Sequence, residues 1–319
     1  MCGAVALVCL NVSTARSSSR WWRPGWPVYL CGGVAAVVVA LGTVLLYLKL
    51  HEDELVFRTG ASHGRITGRL PPAAERLTIH APDGSELAAV ILRPDAAYDS
   101  AFWVLLLHGN ADSAFSSEQI RHCESLTKLG LSVLSFDYRG FGMSAGVASE
   151  AHMDQDADAA FEALIERGIP PSHIILWGHS LGSGPAVVLA SEHAVAALVL
   201  FGAFTSIPDA AQDTYPYLPV KWIAGIRFAS IDRIARVHVP VLIAHSAGDT
   251  VIPLHNAQRL FAAANEPKRL LVLDGAYSDG FGGHVAALYD HRELLAPALS
   301  ALIGPPLNLS GATLPFPVQ

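Results

Sequence analysis

The feature that most constrains the fold is a series of short, largely apolar runs separated by helix-patterned stretches. Trp103–Leu107, Leu131–Phe136, Ile174–Trp177, Val195–Leu200, Val239–Ala244 and Arg269–Leu273 are runs of this kind. A strand that is apolar along its whole length, without polar alternation, belongs to a sheet covered on both faces. Between the runs, Ser117–Leu129, Asp154–Arg167, Ala186–Glu192 and Leu254–Ala263 read as helices, and Val285–Leu302 as a final one. Gly130 and Gly168 stop two of them. Arg76–His80 and Glu86–Leu92 flank the turn Pro82-Asp83-Gly84, a hairpin signal. Alternating strand and helix predicts an α/β fold: a mostly parallel, doubly wound sheet with helices on both faces.

The composition is apolar for a chain that is only globular, with 51% hydrophobic and 15% charged residues. The excess has a local source. Residues 28–48 carry no charge and no proline, and about 20 such residues cross a bilayer core. Arg16, Arg20 and Arg23 precede them, and Trp21, Trp22, Trp26 and Tyr29 form an aromatic belt on that side. A cleaved signal peptide fits less well, because the run is long and no small-x-small site precedes a polar stretch. A buried core helix fits less well still, because the run is apolar on every face. The segment is expected to be a single-pass signal anchor, with the arginines cytoplasmic and the remainder of the chain outside the cytoplasm.

The expected organisation is a tail at 1–27, the anchor at 28–48, a linker at 49–73 ending in Pro71-Pro72, a globular domain at 75–303 and a proline-rich tail at 304–319. Within the domain, 203–237 breaks the alternation and is rich in aromatics, including Phe204, Tyr215, Tyr217, Trp222 and Phe228. It is expected to form a small lid beside an apolar pocket. Of 4 cysteines, only Cys123 lies in the domain, so the domain holds no internal disulfide. The formal net charge is −7 and there is no basic run, which argues against nucleic acid as a partner.

Ser180 lies in Gly178-His179-Ser180-Leu181-Gly182, directly between the run Ile174–Trp177 and the helix-forming Ala186–Ala190. A serine on a sharp strand-to-helix turn resembles the nucleophile elbow of α/β-hydrolases. The spelling alone is weak, since Gly142-Met143-Ser144-Ala145-Gly146 repeats it. That copy follows the loop Asp137-Tyr138-Arg139-Gly140-Phe141 and not a strand, so Ser144, Asp137 and Arg139 read as turn-bracing residues. A serine nucleophile needs a base, an orienting acid and oxyanion donors. In α/β-hydrolases these follow in the order Ser, acid, His. Asp249, just past Val239–Ala244, is the candidate acid, preferred over Asp209 and Asp274. His284, after Gly282-Gly283, is the candidate base among 14 histidines. The oxyanion donors expected are the backbone N–H groups of Leu181 and Asn110, with Ala111 as an alternative. His108 reads as a support for that loop.

The motifs His108-Gly109-Asn110-Ala111, Asp137-Tyr138-Arg139-Gly140-Phe141-Gly142-Met143-Ser144 and Gly178–Gly182, with the Asp249 and His284 loops, resemble the membrane-associated branch of the α/β-hydrolase domain proteins. The resemblance spans about Leu77 to Leu302 and extends to serine-aminopeptidase-type hydrolases. Two features depart from the family pattern: Ser246 stands where glycine is usual, and the loop leading to His284 is long. The resemblance implies a serine hydrolase acting on the ester or thioester of an acylated or lipid-like substrate, with no cofactor and no metal. A peptidase or aminopeptidase, or a non-catalytic binding protein on the same fold, are the alternatives.

Overall fold

The computed structural model describes residues 26–275, 277, 279–286, 292–304 and 307. Arg16, Arg20, Arg23, Trp21 and Trp22, His291 and nearly all of the tail 304–319 lie outside the described residues. The chain divides into two compact units, Met1–Tyr47 and Leu48–Gln319. Helix α1 (Trp26–Leu50) makes up the described part of the first and ends just inside the second. Its stretch Tyr29–Leu50 is exposed, and is long and apolar enough to cross a membrane by length and composition. At about 1.5 Å per residue it matches the roughly 30 Å hydrocarbon core.

In the second unit, the described residues form an eight-stranded sheet: β1 (Glu75–His80), β2 (Glu86–Leu92), β3 (Trp103–Leu107), β4 (Ser132–Phe136), β5 (Ile174–His179), β6 (Ala197–Phe201), β7 (Val241–Ser246) and β8 (Lys268–Leu273). The spatial order is β1-β2-β4-β3-β5-β6-β7-β8. β1 and β2 form the hairpin, with His80 opposite Glu86. β2 is antiparallel to β4, and the strands from β4 to β8 run parallel. Every residue of β3 to β7 is buried. Alternate side chains of one strand point to opposite faces, and they enter separate cores. Leu105, Leu107, Leu176, Leu200 and Ile243 join one; Val104, Leu106, Ile175, Trp177 and Leu242 join the other.

Among the described residues, the α-helices placed after α1 are α2 (Glu52–Val56), α3 (Ser117–Thr127), α4 (Glu150–Glu166), α5 (Ser183–Glu192), α6 (Ile207–Thr214), α7 (Val220–Ile223), α8 (Ser230–Arg233), α9 (His255–Ala263) and α10 (Arg292–Ile303). α4, α5 and α9 cover the first face, through residues such as Phe161, Val187 and Leu260. α3 and α10 cover the second, through Ile120, Cys123, Leu295 and Leu299. α4 starts a turn earlier than its apolar spacing predicts, because the Ser149 hydroxyl caps it by accepting from His152 N at 3.1 Å. The segment 203–237 folds as α6, α7 and α8. Its Phe204 and Phe228 are buried, whereas Tyr217 and Trp222 are 97% and 92% exposed.

Residues 49–73, expected to be a linker, are mostly exposed or half-buried but touch the domain at several points. Phe57 is buried in the first core. Gly64 N donates to Gly142 O at 2.6 Å and Gly68 N to Phe115 O at 2.9 Å. Glu52 accepts from Gly225 N at 2.6 Å and Ile226 N at 2.9 Å. These partners are remote in sequence, so composition alone gives no sign of them.

The second Gly-x-Ser-x-Gly turns inward. Ser144 is buried; its hydroxyl donates to Asp137 O at 2.7 Å and accepts from Ala88 N at 2.9 Å. Asp137 accepts from Ala114 N at 2.7 Å and Met143 N at 2.8 Å. Arg139 forks onto buried Asp156, with Nε and Nη2 at 2.8 and 2.5 Å from Oδ1, while its own backbone N meets Oδ2 at 2.8 Å. This fixes the loop after β4 to α4. Removing one partner of a buried pair is strongly destabilising, and without Asp156 the buried Arg139 would keep only the half-exposed Asp83, at 2.6 Å. Asp156→Ala is therefore expected to lower the unfolding free energy by about 3–5 kcal/mol in a urea titration.

His122 on α3 is buried against the Trp177 ring, centroids 5.2 Å apart. Burial pushes its pKa from 6.5 down to about 3. Between those values the unfolded chain holds a proton that the folded chain lacks, so stability falls as pH falls below 6.5. This one residue contributes a slope of about 1.4 kcal/mol per pH unit. The expected result is a flatter dependence of unfolding free energy on pH, measured on the acid side of neutrality, in His122→Leu than in the wild type.

Candidate active site

β5 runs extended to His179, and the chain then reverses at Ser180, whose φ is 49°. An L-residue in this left-handed region is strained by roughly 1–2 kcal/mol. The surrounding close packing holds it there. A Cβ on Gly182 would lie 2.2 Å from Leu107 O, and one on Gly178 would lie 2.7 Å from Ser183 Cα. Only glycine at both positions lets α5 start against the ends of β3 and β5. Ser180 is left partly exposed at the carboxyl end of the sheet, where crevices form in parallel sheets.

The loops after β7 and β8 bring two side chains to it. Ser180 Oγ donates to His284 Nε2 at 2.9 Å, and His284 Nδ1 donates to Asp249 Oδ2 at 2.7 Å. His284 and Asp249 are both buried. The second carboxylate oxygen of Asp249 accepts from Val251 N at 2.9 Å and Ile252 N at 2.8 Å, which fixes its plane. His245 Nε2 donates to Ile252 O at 2.7 Å and lies 3.4 Å from Asp249 Oδ2. Asp209 and Asp274, the rival acids, are not in this relay. Asp209 instead pairs with Lys221 at 2.5 Å and Arg259 at 3.1 Å.

Two residues that sequence reasoning missed shape the imidazole's surroundings. His179 Nε2 donates to the His284 carbonyl at 3.1 Å. Burial, reinforced by the neighbouring His284, holds the His179 pKa at about 4, so the ring is neutral at pH 7. Gly202, after β6, has φ 57°, and a Cβ there would lie 3.0 Å from His284 Cε1. The only sequence signal for Gly202 was a glycine at a strand's carboxyl end.

The loop after β3 also borders Ser180: a Cβ on Gly109 would come within 3.4 Å of Ser180 Cβ. Asn110 Oδ1 accepts from Ala111 N at 3.0 Å and Arg58 N at 2.9 Å, and its Nδ2 donates to Val56 O at 2.6 Å. His108 is buried with Nδ1 2.8 Å from Gly109 O, as a support for this loop would be. Leu181 is buried at the start of the turn into α5.

The sequence matches the serine aminopeptidase, S33, family over residues 100–231. It is 35% identical over 263 residues to the uncharacterized protein Rv2307c of Mycobacterium tuberculosis, covering 82% of this chain and 91% of that one. It is 35% identical over 185 residues to the lysophosphatidylserine lipase ABHD12 of Danio rerio, covering 52% of this chain and 48% of that protein, about half its length. Among solved structures, the Pyrococcus furiosus esterase Pf2001 superposes with a TM-score of 0.61 at 19% identity, over 76% of this chain and 100% of that one. That likeness is one of fold. With its sheet, its elbow and these relatives, the chain belongs to the α/β-hydrolase superfamily and is a hydrolase.

Proposed function

We propose that this hydrolase is a membrane-anchored serine hydrolase that cleaves ester or thioester bonds of acylated or lipid-like substrates through an acyl-Ser180 intermediate. One observation carries the reading: the unbroken relay from Ser180 Oγ through His284 to Asp249, at 2.9 and 2.7 Å. As Ser180 Oγ attacks the carbonyl carbon, His284 Nε2 takes its proton, and Asp249 holds the imidazole in the Nδ1–H tautomer and balances the imidazolium. The oxyanion is received by the N–H groups of Leu181 and Asn110. The Ala111 N–H is already engaged by Asn110 Oδ1 at 3.0 Å, which favours Asn110 for this role. His284 then protonates the leaving alcohol or thiol. Water, deprotonated by the same nitrogen, releases the acid and restores Ser180.

An acyl preference accords with an apolar cavity of about 330 Å³ beside the proposed lid, 203–237, lined by Leu55 and Val56 of α2 and by Ile207, Leu218, Val220 and Ile223, although none of the relay residues lines it. The lipid activity named for the zebrafish relative points the same way. The exposed lid residues Tyr217 and Trp222 suit a headgroup region, where amphipathic rings concentrate. We assign Tyr29–Leu50 as the anchor. The arginines ahead of it favour an orientation with the hydrolase outside the cytoplasm, which protease protection in sealed vesicles would report.

Full-length protein in detergent should react with a fluorophosphonate probe, and Ser180→Ala should lose both labelling and turnover on an ester and thioester chain-length panel. Persistent labelling or turnover in folded Ser180→Ala would sink the acyl-serine reading. Asp249→Asn should keep the fold and lower kcat by about 10⁴-fold, because the wrong imidazole tautomer is then favoured. A kcat within tenfold of the wild type would remove Asp249 from the relay.

A further inference from the structure

We propose that Asp279 and Ser246 are positioning residues that lock the His284 turn onto the Asp249 loop; the proposal rests on His284 being the base. Left to itself, the segment before His284 is poorly suited to aim an imidazole. Gly280, Gly282 and Gly283 have φ of 72°, 64° and 87°, and glycine is the residue that loses most freedom when ordered. A reactive constellation must nevertheless be held to within about 0.5 Å.

Asp279 supplies one half of the lock. Its Oδ1 accepts from Phe281 N at 2.9 Å and Gly283 N at 3.1 Å, and its Oδ2 accepts from Val285 N and Ala286 N, both at 3.0 Å. One carboxylate thus gathers N–H groups from both sides of His284. Burial would raise its pKa, but the donors at Ala286, Val285, Phe281 and Gly283 outweigh it and hold the pKa at about 2. The charge that makes the lock is present throughout the neutral range.

Ser246 supplies the other half, from the end of β7. Its hydroxyl donates to Gly282 O at 2.6 Å and accepts from Gly248 N at 3.3 Å. Thr250 N donates to Phe281 O at 3.1 Å. The acid loop and the base loop are therefore bonded directly to each other as well as through the His284–Asp249 contact. They also touch without room for a side chain: a Cβ on Gly282 would lie 1.7 Å from Gly248 O, and one on Gly283 would lie 2.7 Å from Ser246 Oγ. The two departures from the family pattern meet in this contact. A longer, glycine-rich base loop gains a hydroxyl that ties it down.

The test compares Asp279→Asn, Ser246→Ala, Ser246→Thr and His284→Ala in full-length protein, using p-nitrophenyl butyrate hydrolysis, fluorophosphonate labelling rate and far-UV circular dichroism. Asp279→Asn and Ser246→Ala are each expected to lower kcat and the labelling rate about 10–100-fold, as a misplacement near 1 Å would. KM should stay within about twofold and the folded fraction should not change, as the reactive geometry alone is disturbed. Ser246→Thr, which keeps the hydroxyl, should recover most of the rate. Wild-type kcat in both Asp279→Asn and Ser246→Ala, with His284→Ala inactive, overturns the positioning role but leaves the base intact. A fall in kcat that only tracks the folded fraction also overturns it. Full activity in His284→Ala would instead overturn the base assignment itself.

Discussion

The reversal of the chain at Ser180 is the constraint around which the site is arranged. A left-handed serine between a buried strand and a buried helix exists only because Gly178 and Gly182 let α5 approach β3 and β5 at backbone distance. The strain is small against the apolar burial on both sides of β5, where Trp177 enters one core and Leu176 the other. Since β5, β7 and β8 run parallel, the segments following them emerge at one edge. Asp249 and His284 therefore reach Ser180 from loops, without any strand having to bend. Gly202, following β6 between them, keeps that edge open for the imidazole.

The sheet was legible because strands buried on both faces need unbroken apolar runs, and Trp103–Leu107 and Ile174–Trp177 contain nothing else. Boundaries were less legible where polar side chains carry them: β5 continues through Gly178 and His179, and α4 begins at its Ser149 cap. Ser180, Asp249 and His284 could be singled out because each follows a recognisable strand, and the structure brings the three side chains together. The roles of His179, Gly202 and Ser246 could not be read in the same way. Each depends on a contact with the His284 loop, whose path is set largely by hydrogen bonds between side chains and backbone and not by any periodicity. Asp137 and Arg139 show the converse. They are chemically reactive types in a motif-like context, but their polar atoms are engaged in holding turns and in the pair with Asp156.

The two Gly-x-Ser-x-Gly sequences separate spelling from environment. Around Ser144 the glycines serve a loop: Gly142 has φ 47°, and a Cβ there would fall within 2.1 Å of Asp137 Oδ2. The hydroxyl is fully engaged with backbone and buried. Around Ser180 the glycines serve a close helix–strand approach, and the hydroxyl is directed at an imidazole. The difference lies in what the glycines make room for.

The packing of residues 52–58 has a consequence for how the hydrolase unit could be released from its apolar helix. A proteolytic cut after Glu52 would deprive Gly225 N and Ile226 N of their acceptor. A cut after Arg58 would also remove two partners of the Asn110 side chain, Arg58 N and Val56 O, and Phe57 from the core. Polar groups stripped of partners in this way cost about 1–3 kcal/mol each where water cannot replace them. A soluble fragment that keeps the unit intact must therefore begin ahead of Glu52, some way upstream of the change in composition at Pro71-Pro72.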